Sequence, residues 1–248
     1  IRMRASMQTA IYFLLVTACP EMHLLYAGDI AALAFLISIY FLFRSYQQSH
    51  SSGHLFYSFF FIGAGSILFP QLTILSVLWL LESYRFQSLT PRSFCGALLG
   101  WMLPYWMLFG HAFFYNEMEL FYRPFNQLLT FGEVFHLPIL QPWELAILGY
   151  LLVMFIVSAV HCVAAGFEDK IRTRAYLQFL IDLTLFLFLQ IALQPIYCSA
   201  LLPLLIISSS ILIGHFFVLT NSKSSNVFFI ISLVGLILLF AFNIWTLL

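Results

Sequence analysis

Residues 227 to 248 read VFFIISLVGLILLFAFNIWTLL, a stretch with no charge and no polar face. Where water is absent such a segment must close its backbone hydrogen bonds internally, so the structure it permits is a membrane-spanning helix. Similar runs recur along the whole chain with no long polar insertion. Composition agrees, with 62% apolar residues and 8% charged, against roughly a quarter charged in soluble proteins. An outer-membrane barrel would instead show segments of about ten alternating residues. The expected fold class is all-α: a polytopic transmembrane helical bundle in which residues 1–248 form a single integral membrane domain.

Net charge is zero and the basic residues are scattered, which excludes a nucleic-acid surface and leaves membrane lipid as the general partner. Cys19, Cys95, Cys162 and Cys198 have no CxxC spacing and sit in or beside apolar runs, so they read as small buried packing residues. His161 and Cys162 with Cys95 make an incomplete zinc set, and no metal or cofactor is expected. The chain opens on Ile1, with Arg2 and Arg4 leading into an apolar run and no cleavage site after it. It is expected to lack N-terminal spans of a longer protein.

The segment His54 to Phe109 decides the threading. Residues 55–69 and 71–82 form either one helix kinked at Pro70 or two short helices joined by a turn. If they are two, every Lys and Arg except Arg123 falls on one side of the bilayer. If they are one, Arg85, Arg92, Lys170, Arg172, Arg174 and Lys223 oppose Arg2, Arg4, Arg44 and Arg123. The positive-inside rule favours the first arrangement, which places a short helical hairpin tip at Pro70 on the non-cytoplasmic side and gives nine spans. Each arm is then only about 18 to 22 Å long, against a hydrocarbon core of about 30 Å. A turn at that depth needs cover from protein or access to water.

The other expected spans are 5–19, 30–43, a fifth beginning at Thr90-Pro91, a sixth from Pro142, then 175–194, 199–219 and 227–247. Thr90 reads as an N-cap with Pro91 at N1. Gly96 and Gly100 give a GxxxG packing face, and Pro104 kinks the helix beyond it. Residues 116–141 form the largest outer loop, rich enough in Leu, Phe and Tyr to lie on the membrane surface.

Two constellations could carry chemistry. Asp182 is the one clear intramembrane charge, on a stripe with Gln178 and Gln190, and it lies about 12 Å beyond Arg174. An ionised carboxylate there costs on the order of 2.5–3.5 kcal/mol, which His161 or His215 at similar depth could offset. A proton-linked or headgroup site and a plain interhelical hydrogen bond are both consistent with this set. The second constellation is extracytoplasmic: Glu21, His23 and Asp29 in the first outer turn, His111, and Glu117, Glu119, Arg123, Glu133 and His136 in the large loop. Carboxylates beside a histidine and an arginine suit general-base work or phosphate binding, and equally suit a solvated loop. The catalytic candidates are Glu117, Glu119, Arg123 and Asp29, without the spacing of a known motif.

The stretch FPQLTILSVLWLLESYRFQSLTPRSFCGALLGWMLPYWMLF resembles a family of uncharacterised multi-pass inner-membrane proteins of Bacteroides-type bacteria, and the resemblance extends to DKIRTR, LQP and GHFFVLT. It implies the bacterial inner membrane and further spans before Ile1 in relatives, and it implies no activity. A weaker likeness links Phe69-Pro70 and the segment from Arg85 to Gly100 to membrane glycosyltransferases that use polyprenyl-phosphate sugars. It implies short paired helices and a catalytic acid in the first large outer loop; if that loop precedes Ile1, its acid is not in this chain and Asp29 is a poor substitute for it. Three functions stay open: a membrane subunit or scaffold with a membrane-protein partner, an enzyme acting on a lipid-linked sugar, and a carrier or flippase.

Overall fold

The computed structural model describes residues 6–19, 27–48, 50–130, 139–164, 166, 169–219 and 223–247. In chain order its helices are α1 (Ser6–Thr17), α2 (Ala27–Arg44), α3 (Ser52–Leu68), α4 (Leu72–Arg85), α5 (Pro91–Phe114), α6 (Met118–Leu129), α7 (Pro142–Ala164), α8 (Ile171–Leu193), α9 (Cys198–Leu219) and α10 (Lys223–Leu247). No strand occurs among the described residues.

Five helical stretches are long and apolar enough to cross a membrane: Pro91–Phe114, Pro142–Ala164, Ile171–Leu193, Pro195–Leu219 and Asn226–Thr246. The protein is therefore helical and suited to a membrane. Nine crossings do not follow from helix length. The helices α1, α3 and α4 have 12, 17 and 14 residues, so they reach only about 18, 26 and 21 Å at 1.5 Å per residue.

The chain falls into two compact units, Tyr26–Gly132 and Ile1–Leu25 with Glu133–Leu248. In the first, α3 ends where Phe69 turns extended (φ −136°, ψ 92°), as a residue before proline does. The chain then reverses through short-range bonds from Thr73 N to Pro70 O (2.9 Å) and from Leu72 N to Phe69 O (3.1 Å). Side chains confirm the antiparallel register. Trp79 Nε1 reaches Ser58 Oγ midway (3.1 Å), and Ser51 Oγ donates to Ser88 O at the base (2.6 Å). Near the tip, Tyr105 OH of α5 bonds both Ser66 Oγ (2.8 Å) and Thr73 Oγ1 (3.3 Å).

Helix α5 begins with the cap its sequence implies. Thr90 Oγ1 accepts from Ser93 N (3.2 Å) and Ser93 Oγ accepts from Thr90 N (2.7 Å), with Pro91 inside the first turn. It packs along α3 through glycines. A Cβ on Gly96 would stand 2.9 Å from Ser52 O, one on Gly63 2.6 Å from Trp101 O, and one on Gly100 closer still to Phe56 O. The GxxxG face is thus used inside the unit. Helix α5 continues through Pro104, whose ring lies against Gly63.

The second unit is built on α9, which packs against α1, α7 and α8. Of its apolar window 72% is buried, against 17% for α10, so α9 is the centre and α10 an outer face. Gly214 permits that packing, since a Cβ there would meet Gln8 of α1 at 2.6 Å. Glu144 opens α7 with both carboxylate oxygens engaged, accepting from Gln141 N (2.9 Å) and Ser199 Oγ (2.7 Å). Helix α10 is tied to the α1 end by Asn243 Nδ2 donating to Ala18 O (2.6 Å).

Candidate functional site

Asp169, Arg174 and Gln178 come together where α7 gives way to α8, beside His215 of α9. Helix α7 stops at Ala164 and α8 starts at Ile171, so Gly166, Asp169 and Lys170 lie between two helix ends. Here Asp169 Oδ2 pairs with His215 Nε2 of α9 at 3.1 Å, with side chains only 11% and 4% exposed. The sequence reading offered Asp182 as the carboxylate for His215 or His161. The carboxylate that His215 meets belongs instead to a loop residue that periodicity does not single out, because a loop has no face.

Asp182 itself accepts from Gln178 Nε2 one turn earlier, at 3.1 Å. Both side chains are half-buried, and Gln190 on the same helix is buried. His161 sets its ring edge-on to Phe216, centroids 5.0 Å apart, and its buried Nδ1 has no hydrogen-bond partner among the described residues.

Beside the Asp169–His215 pair opens a pocket of about 320 Å³, lined by Cys162, Val163, Gly166, Asp169, Arg174, Leu177, Gln178 and Ile181. One end is polar. The wall formed by Val163, Leu177 and Ile181 is apolar. Sequence reading missed Asp169 and Arg174 as site residues, although the run GFEDKIRTR between two apolar helices was the available signal.

The second constellation looks different. Met118–Leu129 is helical, where the sequence suggested only a surface-lying loop, and its apolar face packs on α5. Phe121 meets Phe109 and Phe125 meets Tyr105, each pair with centroids 5.3 Å apart. Glu117, Glu119 and Arg123 are exposed. Glu119 and Arg123 line an open trough with Tyr122, Asn126 and Gln127, all from this one helix. Asp29 sits in the first turn of α2, where a negative charge complements the helix dipole. His111 stacks near Tyr115, centroids 4.6 Å apart. Glu21, His23, Glu133 and His136 lie outside the described residues.

The Pro70 tip is covered. Phe69, Pro70, Gln71 and Leu72 are all buried. The described residues contain no group of three metal-ligating side chains. Of the four cysteines, Cys19, Cys162 and Cys198 are buried as expected, whereas Cys95 is exposed on α5. Comparison with family models, with curated proteins and with solved structures returns no match.

Proposed function

We propose that this chain is a multi-pass protein of the bacterial inner membrane that serves as a membrane subunit or scaffold. All helices except the amphipathic α6 cross or enter the bilayer in this reading, with the short α3–α4 hairpin covered by protein at its tip. The observation that carries it is how the Pro70 unit uses its polar side chains. Ser38, Ser58, Trp79, Ser66, Thr73 and Tyr105 are spent on one another across helices, the usual work of polar groups between membrane helices. Glu119 and Arg123 meanwhile follow the outer edge of a single helix, along an open trough. An enzyme acting on a lipid-linked sugar would need a wet cleft at the tip, and the burial of Gln71 at 1% exposure argues against that alternative.

The test is purification of the intact chain in mild detergent followed by native mass spectrometry. A membrane-protein partner in fixed stoichiometry is expected. Recovery of the chain alone, at every detergent concentration that keeps it folded, would overturn the reading.

A further inference from the structure

We propose that the pocket between the ends of α7 and α8 binds a phosphoethanolamine-type zwitterion, with Arg174 taking the phosphate and Asp169 the ammonium. This inference stands apart from the scaffold reading, since a subunit and a solitary protein could both hold such a ligand. The pocket has about 320 Å³, at the small end of the roughly 300–1,000 Å³ usual for ligand sites.

The charges on its lining select the ligand class. Arg174 is exposed, and no carboxylate pairs with it among the described residues. A guanidinium of this kind grips phosphate oxygens through a fork of N–H donors. A simple anion would also face the Asp169 carboxylate, and a simple cation would face Arg174. A molecule with both charges answers both.

The acceptors for the ammonium are already oriented. Asp169 is held by His215 through Oδ2, which leaves Oδ1 for a further donor. Gln178 spends its Nε2 on Asp182, which leaves Oε1 as a second acceptor. The helix ends add to this arrangement. The C-terminal end of the 23-residue α7 contributes partial negative charge, and the uncapped N-terminus of the 23-residue α8 contributes partial positive charge. The apolar wall of Val163, Leu177 and Ile181 then suits whatever hydrocarbon the headgroup carries.

Both a phospholipid and a soluble zwitterion present this chemistry. The experiment titrates the full chain in detergent with phosphatidylethanolamine, phosphatidylcholine and phosphatidylglycerol, and reads retained lipid by native mass spectrometry. Phosphatidylcholine has no N–H to donate and phosphatidylglycerol has no ammonium. Retention of phosphatidylethanolamine about tenfold above both is expected, the scale of one charge-assisted hydrogen bond. The variant Arg174→Gln, at an exposed position, should melt like the parent and lose that retention about tenfold. Asp169→Asn should erase the preference over phosphatidylglycerol. Displacement of the lipid by free phosphoethanolamine supports a soluble ligand, and persistence against it supports the lipid. Equal retention of the three lipids, or an Arg174→Gln variant that holds phosphatidylethanolamine as well as the parent, overturns the proposal.

Discussion

Ser38 and Ser58 clasp each other: each hydroxyl donates to the other's backbone carbonyl, at 2.8 and 2.9 Å, and the two Oγ atoms stand 3.1 Å apart. Trp79 Nε1 then donates to both hydroxyls, at 2.8 and 3.1 Å. Three helices, α2, α3 and α4, meet at this point, and all three side chains are fully or almost fully buried.

Removing one member should weaken the unit by a modest amount, because membrane interhelical hydrogen bonds contribute about 0.6 kcal/mol on average. Ser58→Ala is expected to cost about 1 kcal/mol in reversible unfolding from detergent. The double variant Ser38→Ala with Ser58→Ala should cost less than the sum of the two, since the groups act together.

Gly100 lies directly under the Phe56 carbonyl. The variant Gly100→Ala must push α3 and α5 apart, at a cost of about 1–3 kcal/mol. Gly110 has open space around it, so Gly110→Ala should be neutral or should stabilise slightly, by up to about 1 kcal/mol. A thermal melt of the two variants separates close packing from a general effect of glycine.

Tyr105 holds the two arms of the hairpin at its tip. In Tyr105→Phe the ring can keep its place beside Phe125 while the links to Ser66 and Thr73 are lost. Stability should fall by about 1 kcal/mol, and hydrogen exchange should rise at residues 66 to 73 more than elsewhere in α3.

In the proposed topology both arms of the hairpin traverse the bilayer, which sets the segments before and after it on one side. Reporter fusions after Arg44 and after Arg92 should report the same face, since a down-and-up pair of helices separates them. Opposite faces would show that α3 and α4 do not both traverse the membrane.

The polar edge of α6 is expected to tolerate change. Glu119→Gln and Arg123→Gln should shift stability by less than about 0.5 kcal/mol. Phe121→Ala, on the face that packs against Phe109, should cost about 3 kcal/mol. A large loss from either polar substitution would mean that this edge contacts something else.

The sequence makes the helical class and the Pro70 reversal plain, because apolar length and the distribution of Lys and Arg are one-dimensional quantities. The Thr90-Pro91 start of α5 and the Gly96 and Gly100 face are legible for the same reason, being local signals of cap and close approach. The serine clasp is not legible. Serines such as Ser38 and Ser58 are common in membrane helices, and only the three-dimensional pairing shows that Trp79 joins them. The candidate pocket was legible in half. The stripe carrying Gln178 and Asp182 follows from helical periodicity, whereas Asp169 reaches His215 across 46 positions from a loop. Helix α6 was hidden by Pro124 in its middle and by the polar residues around it, which made the segment read as a surface loop.

Ser88 closes the base of the hairpin as Tyr105 closes the tip. Its carbonyl accepts from Ser51 and Ser93 at 2.6 and 2.8 Å, its hydroxyl donates to Ser83 O at 3.0 Å, and Ser45 donates to it at 3.2 Å. These partners are synthesised on both sides of the two short arms, so the knot forms only after Ser93 has left the ribosome. The knot thus couples the ordering of α3 to that of α4 and of the first turn of α5, because none of the three can be removed without loosening the same residue.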